Sequence, residues 1–327
     1  VRDHRFLFGS LALIVAASGF GMLGPVARLA YEAGFQPMAF VAWRAVFGLL
    51  AIIVIVAVVG ARRGVPIVNP ARLPLGDAAG LAAAAVAGLG VNIATFIAFD
   101  LTTVALVLLA FYTYPALVAV VAVVLGHERL DGTRLVALGL ALGGMVLVVA
   151  GGLGAADGNP QGSAGGVAFN PVGVLLGLTA ALFQTTFVTV SRGRFSAMPS
   201  EQVMGWVLLL CAAACTVLAL VVGNRLDVPL RDGRALGLAL LAGVAGAGIP
   251  SVLLLVGIRA IGGTRSGILM LIEPLVGVSL AAVLLHEALL PIQVVGGAAI
   301  LAAAILLQRR TSAVAPEPGV VALAERT

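Results

Sequence analysis

Ten apolar runs, most of them 19 to 25 residues long and separated by short polar breaks, constrain this chain of 327 residues more than any other feature. They lie near 6 to 28, 37 to 60, 76 to 99, 103 to 126, 132 to 152, 171 to 191, 201 to 222, 235 to 258, 264 to 286 and 291 to 308. A helix rising about 1.5 Å per residue needs about 20 such residues to cross roughly 30 Å of hydrocarbon. The runs therefore predict an all-α membrane protein with ten transmembrane helices. A membrane barrel would read instead as segments of about ten residues with strict in/out alternation, a pattern absent from this sequence. Composition agrees: 61% of the residues are hydrophobic and 10% charged, too little polar material to coat a soluble domain.

The cations are nineteen arginines and no lysine, for a net charge of +5. Their distribution follows loop parity, not a nucleic-acid footprint. With the N-terminus inside, Arg2, Arg5, Arg62, Arg63, Arg72, Arg129, Arg134, Arg192, Arg194, Arg259, Arg265, Arg309, Arg310 and Arg326 fall on the cytoplasmic side, against Arg28, Arg225, Arg231 and Arg234 outside. Positive loops face the cytoplasm, so both termini are predicted to be cytoplasmic in a multi-pass protein of the cell inner membrane. The loop near 223 to 234 departs from the rule, partly neutralised by Asp227 and Asp232. Arg2 and Arg5 before an apolar run also resemble a signal peptide. The run is long, however, and continues into PVARLAYEAG without a small-residue cleavage pattern, so it is read as the first membrane segment. Cys211 and Cys215, four apart on one helix face, read as small packing residues.

Sliding the chain against itself by 159 residues aligns FYTYPALVAVVAVVLGHERL (111 to 130) with MLIEPLVGVSLAAVLLHEAL (270 to 289) without a gap. Pro115 meets Pro274, His127-Glu128 meets His286-Glu287, and one helix earlier Asn92 meets Ser251. Apolar matches are cheap in membrane helices; a proline and a His-Glu pair in register are not. The chain thus divides into a first five-helix repeat (1 to 152), a linker loop (153 to 170) made flexible by its Gly, Asn and Ser content, a second five-helix repeat (171 to 308), and a cytoplasmic tail (309 to 327) expected to be disordered. Because five is odd, the second unit enters the membrane from the opposite side, making an inverted repeat. That architecture is associated with sites near the bilayer midplane and alternating access. Glu128 and Glu287 stand where a following helix begins, so they are read as capping landmarks and not as an acid/base pair.

The stretch GIRAIGGTRSGILMLIEPLVGVSLAAVLLHEALLPIQVVGGAAI resembles the second half of the drug/metabolite transporter superfamily, in particular its EamA-type members and the bacterial amino-acid exporters among them. FVAWRAVFGLL is similar to the Arg-containing second helix of that family, and Tyr114-Pro115 stands in the first half where Glu273-Pro274 stands in the second. The resemblance implies an EamA-like basket whose central cavity is lined by the first, third, fourth, sixth, eighth and ninth helices, and export of small metabolites. Aromatic amino-acid and threonine/homoserine exporters are the nearest subgroups, which the motifs do not separate.

Polar groups inside a bilayer are costly, about 2.5 to 3.5 kcal/mol for a centred charge on insertion scales, so each calls for a reason. Glu273 lies mid-run and is a candidate for a substrate ammonium or a proton, or for a carboxyl bonded where Pro274 frees a carbonyl. Arg44 lies several residues into the second run and reads first as structural, with a substrate carboxylate as the alternative. Asn92, Thr95, Phe96 and Phe99 fall at i, i+3, i+4 and i+7 on one face, a polar tip with two rings suited to a small amphipathic solute or to ordinary packing. Tyr112 and Tyr114 flank a proline-weakened turn. Gln184 and Thr185 in FQTTFVTV line the cavity or glue helices together. Ser18, Met22, Ser251 and Met270 complete the candidate lining. Pro25, Pro115, Pro250 and Pro274 each remove a helix hydrogen bond and are candidate hinges. Gly139, Gly143 and Gly144, with GGAAILAAA at 296 to 304, offer close backbone approach.

Catalytic and metal signatures are lacking: no HExxH, no Gly-rich phosphate loop, no Cys/His cluster, and three histidines in all, which argues against metal or cofactor. The expected partners are a small-molecule substrate, an amino acid or similar metabolite, and the lipid bilayer, with proton coupling possible through Glu273. Rival readings are a drug or sugar-nucleotide carrier, an intramembrane enzyme and a non-transporting assembly subunit. Sugar nucleotides call for several cations in the cavity, where Arg44 stands alone.

Overall fold

In lipid every backbone N–H and C=O must find its partner within the protein, which for an apolar run means a helix. The computed structural model follows that rule: among the described residues (2–64, 66–101, 104–126, 131–156, 170–193, 198–284 and 291–309) every element is helical. In chain order these are α1 (Arg2–Gly21), α2 (Leu23–Glu32), α3 (Pro37–Arg63), α4 (Leu75–Leu101), α5 (Val104–Phe111), α6 (Tyr114–Val124), α7 (Gly132–Ala156), α8 (Pro171–Gly193), α9 (Ser200–Val221), the short α10 (Val228–Arg231), α11 (Gly233–Gly243), α12 (Ile249–Ile261), α13 (Gly263–Met270), α14 (Ile272–Leu284) and α15 (Pro291–Arg309). Seven spans among the described residues are long and apolar enough to cross a membrane, and three shorter apolar helices accompany them.

Four of the predicted runs are not single rods. The first breaks at Met22 and the fourth at Tyr112-Thr113. The eighth passes through a five-residue π segment at Val244–Gly248, and the ninth breaks at Leu271. A proline follows each interruption within the first turn of the next segment: Pro25 in α2, Pro115 in α6, Pro250 in α12 and Pro274 in α14. The position is physically apt. A proline has no N–H to bond and its ring clashes with the carbonyl four residues back, whereas the first turn of a helix has no N–H partner to lose. The interruptions at Tyr112 and Leu271 are separated by the same 159 residues as the sequence repeat.

The principal helix pairings join the two halves: α7 with α15, α4 with α8, α3 with α9, and α1 with α12. The core between them is built from small and aliphatic side chains, including Leu13, Ala16, Ala17, Ile52, Leu255, Ile258 and Leu269, all essentially inaccessible. Packing without a hydrophobic driving force relies on close approach, and the glycines divide accordingly. A methyl group on Gly144 would lie 2.5 Å from the Gly296 carbonyl oxygen, seating α7 on α15, whereas Gly139 and Gly143 face open space. Only Gly144 of that sequence trio works as expected, because the other two point to the exposed side of α7.

The polar loop after α9 is ordered by its own charges. Asp227 bridges Arg225 at 3.1 Å and Arg231 at 2.6 Å, and Asp232 caps α11 by accepting the Arg234 N–H at 2.9 Å. The arginines that depart from the loop-charge rule are thereby partly neutralised, as their spacing from the two aspartates suggests.

Candidate functional site

Where the fourth and ninth runs break, three of the sequence-selected side chains converge. Tyr112 closes α5 by donating its backbone N–H to the Leu108 carbonyl at 2.8 Å, and its ring is 2% exposed. Thr113 bonds both its N–H and its hydroxyl to the Ala110 carbonyl, the hydroxyl at 2.7 Å, which satisfies a backbone acceptor at the break. Tyr114 then opens α6, also 2% exposed. Across from them, Leu271 interrupts the ninth run and Glu273 lies in the first turn of α14. The Tyr112 hydroxyl lies within hydrogen-bonding reach of the Glu273 carboxyl, and Tyr114 lies within electrostatic reach of the same group. Phe111 touches both tyrosines, with ring centroids 5.4 Å and 5.3 Å away. Sequence reasoning passed over Phe111, although its place beside the two tyrosines was the available signal.

The first helix threads past this cluster. A methyl group on Gly21 would lie 2.5 Å from the Glu273 carbonyl oxygen, and one on Gly277 would lie 3.1 Å from the Gly21 carbonyl oxygen. Two turns of bare backbone thus cross at the acid. One on Gly19 would collide with Pro250 and lie 2.5 Å from the Ala245 carbonyl oxygen. The segment from Ser18 to Met22 therefore runs between α12, beside Pro250 and the buried Ser251, and α14, beside Glu273. Ser18 bonds its hydroxyl to the Ile14 carbonyl at 2.8 Å, Met22 occupies the α1/α2 break, and Met270 is 3% exposed at the end of α13. Gly21 and Gly277 were invisible to a search for polar groups; they act by what they lack.

Asn92 belongs to a separate arrangement. Its carboxamide oxygen accepts a hydrogen bond from the Arg44 guanidinium at 2.6 Å, and its NH2 donates to the Gly88 carbonyl at 2.8 Å. Arg44 is also in electrostatic contact with Cys215, Cys211 and Tyr31, which places the guanidinium between α3, α4 and α9. The thiols are free and buried. The Thr95 hydroxyl, one turn along α4, is buried without a hydrogen-bond partner. On α8, Thr185 bonds back to the Ala181 carbonyl at 2.8 Å and Gln184 is half-buried; Phe183 presses on Gly90 of α4. No hydrogen bond among the described residues joins Asn92, Gln184 or Thr185 to Glu273. The side chains of Phe96 and Phe99, and residues Glu128 and Glu287 entirely, lie outside the described residues.

A bundle of apolar helices, broken in mid-span at a carboxyl and two tyrosines and sealed by backbone crossings, has the build of a multi-pass membrane transporter. The sequence model of the EamA-like transporter family matches residues 7–150 and again 171–309. The chain belongs to that family, part of the drug/metabolite transporter superfamily, which makes it a membrane transporter by family. A solved structure described as "Crystal structure of protein" superposes with a TM-score of 0.75 over 95% of this chain and 99% of that one, at 22% identity, and shares its fold. No curated protein matches the chain.

Proposed function

We propose that the protein exports amino acids or related small metabolites across the inner membrane, binding them between two inverted five-helix repeats and releasing them by alternating access. The observation that carries this reading is the Glu273 carboxyl, within reach of Tyr112 in mid-span at the meeting of two broken helices. An acid placed there, with Tyr114 and Phe111 beside it, suits the ammonium end of an amphipathic solute through charge and ring faces. The same carboxyl can carry a proton in exchange, which is how the reading accommodates proton coupling. Ser18, Met22, Ser251 and Met270 complete the near lining; Asn92, Phe96, Phe99, Gln184 and Thr185 belong to its α4/α8 side.

Support for two inverted repeats comes from the pairing of helices. Exchanging the halves turns the α1 with α12 pair into α8 with α4, and carries α3 with α9 and α7 with α15 onto themselves. The two family matches support units spanning 1 to 152 and 171 to 308, joined by the loop 153 to 170, with 309 to 327 as a tail. The arginine bias supports cytoplasmic termini, and the prolines after each interruption are the proposed hinges.

The test is efflux from liposomes containing the purified protein, over a panel of amino acids and related amphiphiles, with and without a pH gradient. Saturable efflux of at least one amino acid, lost in Glu273→Gln, is the expected result. Folded protein that moves none of the panel would sink the reading.

A further inference from the structure

Each end of the α3 and α9 pair is tied by side chains that reach from one helix's start to the loop leaving the other. At one end Gln36, the residue before α3, accepts a hydrogen bond on Oε1 from the Arg225 N–H at 2.8 Å. Beside it Asn224 Oδ1 accepts the Ala39 N–H at 3.3 Å, and the Trp43 indole N–H donates to the Leu226 carbonyl at 2.9 Å. At the other end Gln202, in the first turn of α9 and 6% exposed, takes hold of the loop after α3 with both ends of its amide. Its Oε1 accepts the Val68 N–H at 2.9 Å and its Nε2 donates to the Pro66 carbonyl at 3.0 Å.

Between these ties the helices are closely packed. Val41 and Ala42 meet Cys215 and Ala219 in one buried cluster, and a methyl group on Gly205 would lie 3.4 Å from Ile52 Cγ2. An antiparallel pair bonded at both ends cannot slide or splay without breaking directional bonds at one of them, and orphaned amide groups near lipid are expensive.

The α6 and α13 seam is made differently. Val118 of α6 and Val188 of α8 lie 3.3 Å and 3.1 Å from the position a methyl group on Gly263 would take, and Pro115 lies 3.3 Å from that on Gly267. These are apolar contacts, and no hydrogen bond joins α6 to α13 among the described residues. Exchanging the halves would set α5 against α14, and among the described residues those two do not pack to a comparable extent. One seam is closed while its counterpart at the other end of the bundle is not.

We infer that α3 and α9 form a fixed spine, fastened by Gln36 and Gln202, while the α6 and α13 seam is where the halves part during transport. The inference rests on the transporter reading above and adds to it which helix pair stays together. Static bonds and dispersion contacts differ in the way that matters: the first are directional and lost at once, the second yield to small shifts.

The experiment uses the full chain with Cys211 and Cys215 replaced by alanine. One variant carries Ile52→Cys with Gly205→Cys across the spine, and another Val118→Cys with Gly263→Cys across the seam, the two pairs where a methyl group on the glycine would meet the facing side chain. Spin-label distances between α3 and α9 are measured in parallel on separate surface pairs in liposomes, across pH and with the amino-acid panel present. Oxidation of the spine pair should leave efflux within about twofold of the reduced sample. Oxidation of the seam pair should reduce efflux more than tenfold, restored by reductant. The α3 to α9 distance should remain a single narrow population and broaden in Gln36→Leu with Gln202→Leu. A tenfold loss on oxidising the spine pair, or two α3 to α9 distance populations in the parent, overturns the inference. Should the reduced parent transport nothing, the transporter reading fails, and the distance measurement still decides the spine by itself.

Discussion

The Arg44 guanidinium and the Asn92 carboxamide oxygen stand 2.6 Å apart, joining α3 to α4 within the apolar span. Asn92 in turn donates to the Gly88 carbonyl, so the pair ends on backbone. Hydrogen bonds to charged groups contribute about 1.5 to 3 kcal/mol, more than the roughly 0.6 kcal/mol average between membrane helices. Asn92→Ala is therefore expected to lower unfolding stability in detergent by about 1.5 to 3 kcal/mol. Adding Arg44→Leu should cost less than the two single changes summed, a coupling that a double-mutant cycle reads directly.

Glu273 and Tyr112 should respond differently from that pair. Glu273→Gln keeps shape and hydrogen-bonding capacity but removes the charge, so efflux of the best substrate should fall more than about tenfold with little change in thermal stability, since a hydrogen bond to a charged group contributes about 1.5 to 3 kcal/mol and about 1.4 kcal/mol is a decade. Tyr112→Phe removes the hydroxyl within reach of the carboxyl and should give a smaller loss, read in the same liposome assay.

Three glycines of α7 provide an internally controlled packing test. Gly144→Ala drives a methyl group to 2.5 Å from the Gly296 carbonyl oxygen and should destabilise by about 1 to 3 kcal/mol. Gly139→Ala and Gly143→Ala meet nothing within 4 Å and should be neutral or stabilising by up to about 1 kcal/mol through helix propensity. Thermal unfolding of the three single variants checks the order.

The exposed loop should show a pH signature of the expected sign. The hydrogen bond from Arg225, more than any other influence, holds the Asp227 carboxyl below the usual aspartate range. A depressed acid contributes stability above its unfolded value and loses it as pH falls through its folded value. Asp227→Asn should lower the melting temperature slightly at pH 7, the pair being solvent-exposed, and the difference from the parent should vanish in strong acid.

Much of the bundle was legible in the sequence because lipid imposes one rule on every span. Run lengths located the seven spans that are long and apolar enough to cross a membrane among the described residues, and the 159-residue offset located two of the breaks. The interruptions at Met22 and at Val244–Gly248 were signalled only by the prolines behind them, since a break in an apolar run leaves no polar mark. Among candidate site residues, Tyr112, Tyr114 and Glu273 stood out because buried hydroxyls and acids need partners. The spacing of Asn92 puts it on a face suited to a solute or to packing, and the structure adds that the Arg44 guanidinium donates to its oxygen; two polar groups 48 residues apart on different helices show nothing of that in sequence. Gly21 and Gly277 were unreadable for the opposite reason, as their contribution is absent volume at one crossing.

The Trp43 hydrogen bond to Leu226 also provides an optical handle. The chain has two tryptophans; Trp206 is 37% exposed on α9, whereas Trp43 is half-buried, bonded through its indole N–H and stacked on Phe47 with centroids 5.3 Å apart. With Trp206 replaced by phenylalanine, the emission wavelength of the remaining indole reports whether that end of the α3 and α9 pair is fastened. No label has to be attached, and the signal can be followed in native lipid as solutes are added.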